Sequence, residues 1–282
     1  MGAITGGIVA SLMWTPAALC ASRSSQLIGA PSAVAWVMTV GLVLISPTVL
    51  LTELPHLHAG PIALLAVSGG GNMAGLLLVY AAMRVGKVSI VVAIVATEGA
   101  VAGVIAVIGG EVLSPAVGAT LALVVLGVIL AARREEEPSR AGRRHTGRAT
   151  YLAIGAATVL GASLYATGKV STEVPLAWVL LPARLLGVLL VAIPLAISSR
   201  LKLTRAALPL VLAGGTFETL GVACFTLAAR HGIAVASVLV SQVAALASVA
   251  AYLLFGERIG RTQVLGVATI VVGVSVLSAL LP

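Results

Sequence analysis

The sequence predicts an all-α integral membrane protein, with ten transmembrane helices arranged as two inverted five-helix repeats. Three observations carry this prediction: an apolar composition, ten apolar segments of bilayer-spanning length, and self-similarity at a fixed offset of 146 residues. Of the 282 residues, 60% are hydrophobic and 9% charged, and the mean hydropathy is +1.15. Too few polar side chains are present to cover a water-soluble globule of that length, so the outer surface must face lipid.

A hydrocarbon core takes about 20 apolar residues per helix. The segments that qualify are 3–21, 32–51, 61–83, 88–108, 114–132, 149–168, 175–197, 206–229, 233–255 and 262–281. The first lacks a basic leader, and Ala17-Ala18-Leu19-Cys20 lacks the small residue expected before a lipoprotein cysteine, so 3–21 reads as a retained helix. Pro31, Pro61, Pro115 and Pro175 fall at helix starts, whereas Gly60, Gly86, Gly110, Gly232, Gly256 and Gly260 fall in short turns. Pro16, Pro47, Pro182 and Pro194 lie within spans, where a missing backbone N–H predicts kinks. The one long polar connection, 133–148, reads as a solvated linker between a first unit, 1–132, and a second, 149–282.

The duplication is clearest in SGGGNMAGLLLVYAAMRVGKVSIVVAIVATE, residues 68–98, which returns as AGGTFETLGVACFTLAARHGIAVASVLVSQVA at 213–244. Six of the 17 glycines in 1–136 meet a glycine 146 residues on: 41 with 187, 69 with 215, 75 with 221, 86 with 232, 110 with 256 and 127 with 273. Composition alone would give about two, and a fixed period of this kind marks internal duplication. Arg23 and Lys169, Arg84 and Arg230, and Glu111 and Glu257 repeat the charges. Five spans per unit give the two units opposite orientations.

Counting Lys and Arg at loop ends, an outside N-terminus places fourteen on the cytoplasmic side and leaves Lys169 and Arg230 on the other. The formal charge of +8 is therefore a loop property and predicts no nucleic-acid partner. Fourteen Arg against three Lys, with abundant Ala, Val and Gly, fit a GC-rich bacterium and hence its inner membrane.

Two five-helix units, YAAMRVGKVSIVVAIVATEG in the first and LAARHGIAVASVLVSQVAALASVAAYLLFGERIGRTQVLGVATIVVGV in the second together resemble the drug/metabolite transporter superfamily, in particular its EamA-type members. The likeness spans the chain and is most specific in the last helix pair, where Phe255-Gly256-Glu257-Arg258 is followed by Gln263 and Gly266. It implies secondary transport of small organic solutes by alternating access, without a cofactor. Ten-helix members of that family generally keep both termini in the cytoplasm, whereas the charge count here puts both outside.

Polar groups are costly at mid-bilayer and face cavities or one another. Asn72, Glu98, Arg184, Glu218 and Gln242 sit there, and 72 + 146 = 218 makes Asn72 and Glu218 equivalent. Repeat carriers bind substrate beside such an axis. Asn72, Glu218 and Gln242 are thus candidate substrate contacts, with Arg184 offering a fork to a carboxylate. Glu98 and Glu218 are candidates to carry a coupling proton. Alternatively, Arg184 and Glu218 form a structural pair, Glu98 is a neutral acid bonded to a carbonyl, and Asn72 joins helices.

Trp14 and Tyr80 are weaker substrate-binding candidates. They sit at the same depth as Tyr165 and Phe217, and all four are open to a packing role instead. Gly71-x-x-x-Gly75 and Gly99-x-x-x-Gly103 predict close helix packing, and Gly69-Gly70-Gly71 is a candidate unwound point. Packing within the bundle fits these motifs better than dimerisation, so the chain is a monomer or homodimer.

Other chemistries are excluded or poorly supported. The chain has no Asp, no mid-span His and no Walker A string, so neither an intramembrane hydrolase nor an ATPase is expected. Glu53 with His56-Leu57-His58 leaves a metal shell incomplete, and Cys20 and Cys224 are not equivalent in the repeat, so neither a metal nor a disulfide is expected. Glu111 and Glu257 read as charges at helix ends. The expected function is a secondary carrier for an amino-acid-like or related solute, with a passive channel or a drug efflux carrier as the rival. Its partners are a small-molecule substrate and the lipid bilayer.

Overall fold

The computed structural model describes residues 2–55, 57–86, 91, 94–132, 143–243, 246 and 261–280. All regular structure among them is helical. In chain order the elements are α1 (Gly2–Ile28), α2 (Ala30–Leu51), α3 (Ala59–Val85), α4 (Glu98–Ile108), α5 (Pro115–Ala132), α6 (Arg143–Val170), α7 (Leu176–Gly187), α8 (Ile193–Ile197), α9 (Leu208–Ala229), α10 (Ile233–Val240) and α11 (Arg261–Leu280). Among the described residues, six stretches are long and apolar enough to cross a membrane: α1, α2, α3, Gly147–Val170 of α6, Leu176–Ile197 across α7 and α8, and α9. The chain is a multi-pass membrane protein.

Packing follows the lipid rule in large part: many large apolar side chains face outward, and the interior is rich in small ones. Val43, Leu50, Leu51, Ile62, Leu190, Ile197 and Leu265 are exposed, while Ala10, Ala33, Ala82, Ala102, Ala153 and Ala236 are fully buried. Lipid tails are as apolar as Leu, so helix association relies on close backbone approach past small residues and gains little from burying Leu. Several buried hydroxyls return to their own helix, as when Thr15 donates to the Ser11 carbonyl at 2.8 Å and Thr226 to that of Val222 at 2.7 Å.

The close approaches recur at the 146-residue offset. A Cβ on Gly75 of α3 would strike Leu160 of α6, and one on Gly221 of α9 would strike Trp14 of α1; 75 + 146 = 221 and 14 + 146 = 160. Gly69 lies against Pro182 and Ala183 of α7, and Gly215 against Val37 and Val40 of α2. Gly127 of α5 meets Gly266 and Ile270 of α11, while Gly273 meets Thr120 and Val124. In each pair a helix of the first half contacts the second half and the reciprocal contact is also made. The halves are therefore interleaved, α1 along α9 and α3 along α6.

Several boundaries differ from the sequence reading. α1 runs on to Ile28 and carries Arg23 within it. The chain turns at Gly29, whose φ of +85° a side chain would disfavour. α6 starts at Arg143, so 143–148 of the expected linker is helical; 133–142 lies outside the described residues. Gly60 sits in the first turn of α3. At Pro194 the helical ladder is adjusted by a π turn, Val188–Ala192, which absorbs the absent donor.

The candidate unwound point at Gly69-Gly70-Gly71 is helical. α3 is continuous there, because Gly69 and Gly71 are needed for close contact with Ala183 and Ser163. The interruptions lie instead at Ala96-Thr97, before α4, and at Ser241-Gln242, after α10. Both tighten to i→i−3 bonds: Thr97 N–H to Ile94 O at 3.1 Å, and Gln242 N–H to Leu239 O at 3.2 Å. They are 145 residues apart, within one residue of the repeat offset. The remainders of spans 88–108 and 233–255, and Gly256, Glu257 and Gly260, lie largely or wholly outside the described residues.

Glu111 is a helix-end charge, and it joins the two halves. Its carboxylate accepts Ile233 N–H at 3.1 Å and Ala234 N–H at 3.2 Å, capping the N-terminus of α10. Gly232, at φ +144°, delivers the chain into that cap.

Candidate functional site

The interleaved helices enclose a cavity of about 110 Å³. That is the same order as an engineered cavity of ~150 Å³ that holds benzene. Its polar wall comprises Asn72 of α3, Glu98 at the first turn of α4, Ser163 of α6 and Glu218 of α9. Trp14, Leu76, Tyr80, Leu160 and Leu164 supply much of its apolar wall. Four repeat-related pairs line it together: Trp14 with Leu160, Ala17 with Ser163, Ala18 with Leu164, and Asn72 with Glu218.

Behind this wall lies a closed charge network. Arg184, fully buried on α7, pairs through Nη2 with Glu218 Oε2 at 2.5 Å. Its Nη1 donates to Asn72 Oδ1 at 3.3 Å, and Nη2 reaches Thr219 Oγ1 at 3.5 Å. Asn72 and Glu218 thus share Arg184 as a common partner. Gly41 of α2 makes room for the guanidinium, since a Cβ there would lie 2.6 Å from Arg184 Nε. Thus Arg184 and Glu218 form the charged pair, as one sequence reading had it. Arg184 lines no part of the cavity, and both its terminal nitrogens are engaged.

The other sequence-derived residues divide as follows. Asn72, Glu98, Glu218, Trp14 and Tyr80 all reach the cavity. Glu98 has no ion-pair or hydrogen-bond partner among the described residues, so the alternative of a carbonyl-bonded acid has no partner there. Gln242 is buried at the break after α10, with its Nε2 unpartnered, and does not line the cavity. The Trp14 indole donates to the Glu218 carbonyl at 3.3 Å and stacks on Phe225 at 6.3 Å, which fixes the ring on the cavity wall. Tyr165 instead packs into an apolar cluster, with its hydroxyl close to Gly109. Cys20 and Cys224 are free thiols, and His56 lies outside the described residues.

Leu160, Ser163 and Leu164 went unrecognised in the sequence, although adding 146 to Trp14, Ala17 and Ala18 points to all three. Ser163 is held by donating to the Ser68 carbonyl at 2.7 Å, beside the Ser68 to Thr167 hydroxyl contact at 2.5 Å.

The cavity is off-centre. Its α1 and α3 linings, Trp14 to Ala21 and Asn72 to Met83, run toward the ends that carry Arg23 and Arg84. The start of α9, preceded by Arg200, Lys202 and Arg205, lies at that same end, with Gly214 against Cys20. Toward the opposite end Ala3, Ile4, Ala106, Val235 and Leu239 pack into a dry plug.

No family model matches the chain, and no curated protein matches its sequence. The fold itself has a counterpart among solved structures. A crystal structure of a protein aligns over 99% of this chain and 97% of its own, with a TM-score of 0.76 at 17% identity. A likeness at that identity speaks to the fold alone.

Proposed function

We propose that the protein is a secondary carrier, built as ten spans in two inverted repeats, that moves a small organic solute across a bacterial inner membrane by alternating access. The observation that carries this reading is the cavity between the halves, lined by four pairs of repeat-equivalent residues including Asn72 and Glu218. Inverted-repeat carriers place substrate at that interface, where the halves rock about a fixed site. The plug at one end and the cavity's bias toward the other suit a state open toward the basic side, the cytoplasm by the positive-inside rule. The proposal includes no enzymatic step and no cofactor. Glu98 and Glu218 are the candidates to carry a coupling proton, and Glu218 would do so only on parting from Arg184.

Deletion and overexpression strains compared for small solutes inside and outside the cell test this. Overexpression should shift a restricted set of metabolites. Ala18→Phe, which fills the cavity, should abolish the shift while the thermal midpoint of the purified protein moves by less than about 4 °C. Equal shifts with both forms would remove the cavity from the transport route. A saturable, trans-stimulated flux separates a carrier from a passive channel.

Topology is a separate prediction. A C-terminal reporter active only in the periplasm should be active, and silence there would overturn the orientation read from the fourteen basic residues.

A further inference from the structure

Taking the cavity as the substrate site, we infer that it selects a small organic ammonium with an apolar body, and not an amino acid or a carboxylate. The argument is a census of charge on its wall. Glu218 is neutralised by Arg184 at 2.5 Å, and Asn72 is engaged by Arg184 as well. Arg184 is the only cation in contact with that network among the described residues. It is fully buried, its terminal nitrogens are occupied, and it is absent from the cavity lining. Among the described residues, a substrate carboxylate would therefore meet two carboxylates and no available cation.

Glu98 is the unmatched group. It lines the cavity and has no partner among the described residues. With both carboxylates ionised, the wall carries one excess negative charge, whose complement is a monocation. Trp14 and Tyr80 give the wall aromatic rings, the side chains that attract ammonium groups, and Trp14 is held by Glu218 and Phe225. Leu76, Leu160 and Leu164 suit an alkyl body, and the cavity's size admits about six non-hydrogen atoms, as in benzene. An alkylamine of that size is charged at neutral pH, as a lysine side chain is.

The experiment measures binding of three nearly isosteric probes, 3-methylbutylamine, 3-methylbutan-1-ol and 3-methylbutanoate, to the full chain in detergent by calorimetry. The amine should bind saturably, at least about tenfold tighter than the other two, a margin of 1.4 kcal/mol. Glu98→Gln should bring the amine down to the level of the alcohol, while Glu98→Asp should restore part of the difference. Equal or tighter binding of the carboxylate, no binding of the amine, or an amine affinity unchanged in Glu98→Gln would overturn the inference.

Counterflow in proteoliposomes separates this inference from the carrier proposal it rests on. An amine bound through Glu98 but never translocated leaves the site standing and removes the carrier reading. A carboxylate translocated in preference to the amine does the reverse.

Discussion

Replacing Arg184 with methionine should destabilise the protein by about 3–5 kcal/mol, because removing one partner of a buried ion pair strands the other. Arg184 is fully buried and Glu218 nearly so, and no other described cation reaches that carboxylate. The repeat supplies the compensating change. The counterpart of Arg184 is Met38, and that of Glu218 is Asn72, since 38 + 146 = 184 and 72 + 146 = 218. The double variant Arg184→Met with Glu218→Asn gives the second half the residues that the first already carries there. It should recover most of the lost stability, because no buried charge is left unpaired. In thermal unfolding in detergent, the single variant should fall by roughly 6–20 °C and the double should return to within a few degrees of wild type. A single variant as stable as wild type, or a double as unstable as the single, would show that the pair is not what holds α7 to α9.

The membrane character and the interior polar residues were legible in the sequence because both depend on local quantities, namely apolar run length and depth within a run. Asn72 and Glu218 were found by arithmetic on the offset, and the structure brings both to Arg184 and to the cavity wall. Which way each polar residue faces was not legible. Arg184 and Glu98 lie at similar depth in their spans, yet one is sealed behind the wall and the other stands on it. The difference is set by Gly41, 143 residues before Arg184, which opens a recess for the guanidinium. The breaks at Ala96-Thr97 and Ser241-Gln242 were missed for a related reason. Neither contains Gly or Pro, and each forms through i→i−3 bonds that tighten the last turn. In the glycine run at 69–71, which carried the stronger local signal, Gly69 and Gly71 serve helix contact.

The same recess yields a prediction that separates two positions the repeat makes equivalent. Gly41 and Gly187 face each other's helices across the α2–α7 contact: Gly187 receives Met38, and Gly41 receives Arg184. A methyl at Gly187 would strike Met38 Cγ and lie 2.6 Å from Met38 Cβ; Cγ and Sδ can rotate away, Cβ yields only by a small shift of α2, and overpacking of this kind costs about 1–3 kcal/mol. A methyl at Gly41 would lie 2.6 Å from Arg184 Nε and 2.7 Å from Thr219 Oγ1. The guanidinium cannot retreat without leaving Glu218 and Asn72, so relief of the clash separates the buried pair and the cost rises to about 3–5 kcal/mol. Gly41→Ala should therefore lower the thermal midpoint well below that of Gly187→Ala, although the two substitutions are chemically identical and related by the repeat. Met38→Ala should rescue part of the Gly187→Ala loss by removing Met38 Cγ and Sδ from the contact. Equal losses at the two glycines would mean that α2 and α7 simply part by the same amount in both variants, and that Arg184 is not pinned where it stands.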